Sequence, residues 1–299
     1  MPNTILTPRQ IAAASLAALE RQAVLAGTTW RDAERDFAGK IGDTVTVRTG
    51  VLVGRARRFN RAAGAPIVID DITEHAVDVK LTDYLYKGVA LTDEELTLKL
   101  RDFTTTVSMP QAKSVAEEVE TMVAAQMNAL ASTVTIKPDG SDINLAILNA
   151  RKVLTQNGVP FDGRFLAVSP DVEVLILDHL SKKLVNTADS TWSTALREAV
   201  IGRLHGFNVL PSAYLADGSA VAYHSSAFPL VTRALSVPEG ATFGESMTYN
   251  GISLRLIRDY DPGFQQDRSV VSTLAGASTT KEEDNTVKRA VRLTVSATP

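Results

Sequence analysis

Five arginines lie close together near the start of the chain and form its most unusual group of charged side chains. They are Arg48, Arg55, Arg57, Arg58 and Arg61, called the arginine cluster below, and no acidic residue occurs between them. A guanidinium donates paired hydrogen bonds to carboxylates and phosphates, which indicates an acidic protein surface or a nucleic acid as partner. A single-stranded nucleic-acid site also needs several stacking rings, and only Phe59 lies among these arginines. A protein interface is therefore favoured, with a solvated loop and a nucleic-acid site as the alternatives.

Three glutamates offer the kind of acidic surface that such arginines would bind. Helical periodicity places Glu117, Glu118 and Glu120 opposite the apolar residues of the same helix. We predict that the arginine cluster, Phe59 and these three glutamates form contacts between subunits.

The sequence carries none of the common catalytic motifs. Gly39-Lys40 matches part of a P-loop, but Glu34 stands where the loop needs glycine and Ile41 where it needs serine or threonine. The segment from Gly244 to Thr248 lacks the second glycine of a hydrolase elbow. The histidines His75, His179, His205 and His224 show no metal-ligand spacing, and the chain has no cysteine. We therefore predict no enzyme activity, no catalytic residue, no cofactor and no metal site.

The composition is that of a globular protein without a membrane span. Of 299 residues, 44% are hydrophobic and 22% are charged, which excludes wholesale disorder. The net charge of −3 argues against a protein that neutralises many phosphates. No apolar run approaches the roughly 18 residues of a spanning helix, and Ile11 to Leu19 fits an amphipathic helix better than a signal peptide. We expect a soluble protein that is intracellular at synthesis.

Alternating apolar residues predict a long two-stranded ribbon that carries the arginine cluster towards its tip. Val45 and Val47 alternate with polar residues on one arm, and Val77 and Val79 do so on the other. Two strands are too few to cover an apolar face, so the ribbon needs another surface to lie on.

The strongest helical pattern starts at Ser108 and reaches about Ser132. Its buried positions recur at steps of three and four residues: Val115, Val119, Met122, Val123, Gln126, Met127 and Leu130. A helix of this length is about 37 Å long and must lie across a domain.

A break at Lys137 to Gly140 predicts a boundary, after which helices and strands alternate. Helices are predicted at 142–156, 170–180 and 194–201, and strands at 165–168, 207–210, 220–224, 252–256, 269–274 and 287–295. Shorter helices are predicted to start at Thr7 and Thr92. The last strand has one apolar face, so we expect it to add an edge strand or to reach a neighbouring subunit.

This order of parts resembles the major capsid proteins of tailed bacteriophages, whose fold is shared with encapsulins and the floor of herpesvirus shells. Local sequence is similar as well, at Gly42-Asp43-Thr44-Val45, Leu91-Thr92-Asp93-Glu94-Glu95, Asp102-Phe103, Gly206-Phe207-Asn208-Val209 and Tyr249-Asn250-Gly251-Ile252. The resemblance covers nearly the whole chain and depends on the order and spacing of these motifs.

The resemblance implies an α+β fold of the Hong Kong phage capsid type. Its expected segments are an N-terminal arm (1–43), an extended loop (44–80), a peripheral domain with a spine helix (81–138), an axial domain (139–235), returning strands of the peripheral domain (236–276) and a C-terminal extension (277–299).

The same resemblance implies a major capsid protein that self-assembles, as hexamers and pentamers, into an icosahedral head shell around double-stranded DNA without reading its sequence. A scaffolding protein, a portal and decoration proteins are the expected partners, with no membrane, and the location is the virion after assembly in the host cytoplasm. The alternatives are an encapsulin-like shell around a cargo enzyme, and a soluble α+β enzyme with an unrecognised site.

Some members of this family join subunits by covalent Lys–Asn bonds with the lysine on the extended loop. This chain has no lysine between Lys40 and Lys80, so the amine for such a bond is missing from the loop. We predict a non-covalent shell in which the arginine-bearing loop contacts neighbouring subunits.

Overall fold

The computed structural model describes residues 24–30, 44–52, 56, 58, 67, 69, 73–94, 103–184, 202–241, 243–249, 252–282 and 285–296. The strands are β1 (Thr44–Leu52), β2 (Thr73–Lys80), β3 (Asp83–Thr92), β4 (Ser132–Ile136), β5 (Arg164–Val168), β6 (Arg203–Leu204), β7 (Phe207–Pro211), β8 (Ser219–His224), β9 (Leu230–Arg233), β10 (Phe243–Tyr249), β11 (Ile252–Asp261), β12 (Gln266–Ala277) and β13 (Ala290–Val295). The helices are α1 (Met109–Asn128), α2 (Ile143–Gln156) and α3 (Pro170–Leu184). The helices predicted to start at Thr7 and at 194 lie outside the described residues.

The predicted ribbon is present as a two-stranded sheet, called the ribbon below. Strands β1 and β2 pair antiparallel from Thr44 opposite Lys80 to Leu52 opposite Thr73, with a bulge between Arg48 and Gly50. The ribbon leads directly into β3, which the sequence analysis missed because its residues are mostly exposed and its apolar alternation is weak.

A five-stranded sheet has the order β10-β11-β12-β3, and β9 pairs with the end of β12. Helix α1 covers one face of this sheet: its Ala112, Val115 and Ala116 pack in one cluster with Leu254 and Val271 of the strands. Alternate strand residues face the helix, as the two-residue period of a strand requires.

A six-stranded sheet has the order β4-β13-β8-β5-β7-β6 and mixes parallel with antiparallel pairs. Helices α2 and α3 cover one face, where Ile147 and Ile176 pack with Leu166. The other face packs against the second half of α1, through Val123 and Tyr223 among others. One long helix therefore joins two sheets along a single apolar stripe.

The long helix is shorter than predicted, because it ends at Asn128 and not near Ser132. Its twenty residues span about 30 Å at 1.5 Å per residue. The guanidinium of Arg292 donates to the backbone carbonyls of Asn128 and Leu130, which satisfies acceptors at the helix end. The residues that follow form β4, whose pairing with β13 is a distant contact that helical periodicity does not reveal.

The final strand corrects another expectation. Strand β13 lies between β4 and β8, so both of its edges are paired within the subunit. Val291 and Leu293 are buried in the core. The hypothesis that this strand forms a sheet edge or reaches a neighbouring subunit is therefore wrong.

Candidate functional site

The arginine cluster lies mostly beyond the part of the chain that the structure describes. Arg48 belongs to β1, where its backbone pairs opposite Ala76. Arg58 is exposed. Arg55, Arg57, Phe59 and Arg61 are outside the described residues. Their contact with neighbouring subunits stays a prediction.

The predicted acidic face of α1 holds two glutamates and not three. Glu118 is exposed, and Glu117 is half-buried with Oε1 3.9 Å from Nζ of Lys113. Glu120 points into the subunit and is 2% exposed. The prediction that Glu120 lies on the outer face is wrong, because the chain near residue 25 covers this side of the helix and supplies hydrogen-bond donors to its carboxylate.

The buried carboxylate of Glu120 binds the backbone of the N-terminal segment 24–30. Its Oε2 accepts a hydrogen bond from the Leu25 amide at 2.9 Å, and its Oε1 accepts one from the Ala26 amide at 2.9 Å. Burial raises the pKa of Glu120, and the two amide hydrogen bonds lower it by less. No ion pair involves this carboxylate among the described residues, so two backbone amides are its partners there.

A buried aromatic group lies beside this carboxylate. Tyr223 is fully buried, and its hydroxyl lies 2.6 Å from Oγ1 of Thr28. Burial raises the pKa of Tyr223, with the nearby Glu120 adding to the effect. The rings of Phe165 and Phe228 lie 5.8 and 5.5 Å from the Tyr223 ring. The N-terminal segment is therefore packed into the core and not only laid on the surface.

The face of the five-stranded sheet away from α1 exposes aromatic side chains. Tyr84 and Tyr86 on β3 are 46% and 66% exposed, and their ring centroids lie 5.8 Å apart. Arg255 donates from Nη2 to the Tyr84 hydroxyl at 2.9 Å. The alternation of Tyr84 and Tyr86 is the sequence signal that could have identified this surface.

The turn between β11 and β12 presents a further exposed aromatic residue. Phe264 is 76% exposed. The Gly263 amide donates to Oδ1 of Asp261 at 3.0 Å, and Arg268 lies 3.2 Å from the same carboxylate.

Helices α2 and α3 also carry exposed apolar residues. The exposed residues are Leu145 and Leu148 on α2 and Val174 on α3. Phe161, in the connection between α2 and β5, is exposed as well. Exposed apolar side chains thus occur on the helices as well as on the five-stranded sheet.

A cavity of about 470 Å³ lies beside the end of α2, lined by Asn157, Gly158, Val159, Pro160, His224, Ser226, Glu282, Lys288 and Arg289. Its charged groups pair with each other: Arg289 Nε lies 3.2 Å from Oε1 of Glu282. Burial, and then the charge of Arg289, lower the pKa of His224. Ser226 Oγ lies 2.8 Å from Nδ1 of His224 and accepts a hydrogen bond from Nη1 of Arg289 at 3.0 Å, so the serine and the histidine belong to one hydrogen-bonded network with the ion pair.

The described part of the chain offers neither a metal cluster nor a membrane-spanning helix. No group of three or more histidine, cysteine or acidic residues there could hold a metal ion. No helix in the same residues is long and apolar enough to cross a membrane.

Comparison with known proteins gives one family and a consistent set of folds. A family model described as phage capsid protein matches residues 73–273. Curated proteins give no match. A structure of Mycobacterium phage Che8 is 21% identical, with a TM-score of 0.66 over 91% of this chain and 90% of that one. The capsid structure of cyanophage P-SCSP1u is 14% identical, with a TM-score of 0.57 over 86% and 85%.

A virus-like particle from Pyrococcus furiosus is also similar, at 11% identity and a TM-score of 0.50 over 95% of this chain and 98% of that one. Likenesses at these identities establish a fold. The fold is the α+β capsid fold of the Hong Kong phage type that the sequence led us to expect.

Proposed function

Because the chain belongs to the phage capsid protein family, as a major capsid protein that forms the head shell, we propose that its subunits form hexamers and pentamers that assemble, without covalent bonds, into an icosahedral shell. The shell would enclose double-stranded DNA without reading its sequence. Scaffolding, portal and decoration proteins would be the partners of the shell, which would assemble in the host cytoplasm. The subunit would have no enzyme activity.

The ribbon carries this proposal. Two strands alone do not make a stable sheet, and the described part of the ribbon packs on its own subunit at its base, through Val79 and Leu81. Ala76 and Asp78, further along β2, are exposed. A neighbouring copy of the subunit provides the surface that the ribbon would bind. Assembly would then contribute to the stability of the ribbon.

We assign the segments of the subunit accordingly. Residues 1–43 would be the arm, 44–80 the extended loop, 81–138 with 236–276 the peripheral domain and 139–235 the axial domain. Strands β4 and β13 complete the six-stranded sheet from outside the 139–235 segment, so the axial domain would also include them.

The arginine cluster, with Phe59, would lie on a neighbouring subunit. Glu117 and Glu118 on α1 are its proposed acidic partners, since both retain exposed surface. Ion pairs of this kind set register and partner choice more than affinity.

Electron microscopy of the protein expressed alone and purified by size exclusion tests the assembly. Closed shells, tubes or capsomer-like rings are expected. If expression with scaffold and host factors also gave only uniform monomers or dimers, the proposal would be wrong. DNA that co-purifies with mature particles distinguishes a phage head from an encapsulin-like cargo shell.

Denaturing electrophoresis tests the absence of covalent links. Particles boiled in detergent should give one monomer band. A ladder of higher bands would contradict a non-covalent shell.

A further inference from the structure

The Glu120 carboxylate is the most unusual buried group among the described residues. A buried carboxylate without a basic partner is unfavourable, because it loses hydration that hydrogen bonds replace only in part. Both of its oxygens bind amides from one short turn, Leu25 and Ala26, which lie 94 or more positions away in the sequence. An apolar residue at this place would fill the space without fixing the turn, which points to a positioning role.

The turn held by Glu120 continues as a rigid segment. The Thr28 amide and hydroxyl both donate to the Leu25 carbonyl, at 2.9 and 2.8 Å. The Trp30 amide then donates to the Phe228 carbonyl at 3.3 Å, and the Leu230 amide donates to the Trp30 carbonyl at 3.1 Å. Segment 24–30 is thus fixed at one end on α1 and at the other end beside β9.

The far end of this segment reaches the base of the ribbon. The Trp30 side chain packs against a small cluster of Val79, Leu81 and Val231. The backbone of the ribbon passes very close to β12 at the same place, since a Cβ atom on Gly276 would lie 2.1 Å from the Lys80 carbonyl oxygen. The ribbon base is therefore held between Trp30 and β12.

We propose that Glu120 is a positioning residue for the ribbon and acts through segment 24–30. Its carboxylate holds Leu25 and Ala26 on α1, and this contact keeps Trp30 against Val79 and Leu81. Loss of the carboxylate releases one side of the ribbon base, and the direction in which the ribbon leaves the subunit is no longer fixed. The importance of that direction for shell formation rests on the proposed function, whereas the coupling itself is a property of a single subunit.

Hydrogen exchange measured by mass spectrometry on unassembled subunits tests the coupling. In Glu120→Gln the amide side chain accepts from only one of the two backbone amides. Exchange should become at least about tenfold faster in peptides from 24–30 and also from 73–81, because the side-chain N–H of Gln leaves the other backbone amide buried without an acceptor. Peptides from α2, which packs in a separate core cluster, should be unchanged.

Glu239→Gln is the control, because it removes an exposed carboxylate that lies outside α1, segment 24–30 and the ribbon. Its exchange should equal that of the unchanged protein. Faster exchange at 24–30 without any change at 73–81 would overturn the proposal, and so would uniform acceleration over the whole subunit. Neither result depends on whether shells form, so a failure of the proposed function is separately visible by microscopy.

Trp30→Ala tests the other end of the coupling and serves if Glu120→Gln does not fold. Exchange should accelerate by a similar factor at 73–81, while the Leu25 and Ala26 amides stay protected by Glu120. Unchanged exchange at 73–81 in this variant would show that Trp30 does not support the ribbon base, and the proposal would fail.

Discussion

Glu120 binds a proton more readily in the folded subunit than in the unfolded chain, because burial raises its pKa above the ordinary 4.5. At pH values between the pKa of the unfolded chain and that of the folded subunit, the folded state therefore binds more protons than the unfolded state. The stability that Glu120 contributes is fully present below its pKa in the unfolded chain, and it is lost as the pH rises through its pKa in the folded subunit. In calorimetry between pH 4.5 and 7.5, Glu120→Gln should lose this dependence, so that its melting temperature relative to the unchanged protein rises with pH. If the melting temperatures of the two proteins changed with pH in parallel, Glu120 would not be the group responsible.

The pKa of His224 is shifted so that its effect on stability has the opposite dependence on pH. Its pKa lies below the ordinary 6.5 because of burial and then the Arg289 charge. Its Nδ1 accepts from the Ser226 amide at 3.2 Å, a bond that protonation removes. The stability that neutral His224 contributes is fully present above its pKa in the unfolded chain, and it is lost as the pH falls through its pKa in the folded subunit. Between pH 7.5 and 5.5 the unchanged protein should lose more melting temperature than His224→Asn, which keeps an acceptor. Equal losses would show that His224 does not titrate in this way.

At the scale of elements, the ribbon base depends on a glycine. A methyl group on Gly276 would meet the Lys80 carbonyl oxygen at 2.1 Å, and backbone cannot move aside as a side chain can. Gly276→Ala should destabilise the subunit by about 1–3 kcal/mol, as overpacking does. Gly240→Ala is the control, since nothing lies within 4 Å of its added methyl. Chemical denaturation measures both free energies of unfolding, and equal values would contradict the close approach.

Strand β13 gives a second test at this scale. Leu293 is fully buried between paired strands, so Leu293→Ala should cost about 2–5 kcal/mol of unfolding free energy. Leu145→Ala makes the same chemical change at a side chain that is 60% exposed, and should cost far less. Similar costs in denaturant titrations would mean that β13 is not part of the core.

At the scale of the whole molecule, the arginine cluster and the acidic face of α1 are proposed to meet across subunits. Arg58→Glu should lower shell yield by about tenfold or more while leaving subunit melting unchanged, since like charges would then face each other. Adding Glu118→Arg in the same chain should restore assembly. Particle counts by electron microscopy measure both variants. If the double variant assembled no better than the single one, the proposed pairing would be wrong.

Periodicity and the order of the predicted elements were enough to predict part of the fold. Strand alternation identified the ribbon, helical periodicity identified α2 and most of α1, and the order of these parts identified the family. The strand and helix signals each lie within about 20 residues, because their periods are properties of neighbouring positions, whereas the order of the parts is read along the whole chain.

Contacts between distant parts of the chain determine which residues face the interior and which strands are central. Glu120 is turned inward by amides 94 and 95 positions away, β13 is enclosed by β4 and β8, and α1 ends where Arg292 reaches its last carbonyls. The physical reason is the same in each case. A polar group is buried, a strand is paired and a helix is capped by partners that are distant in the chain, and periodicity carries no information about them.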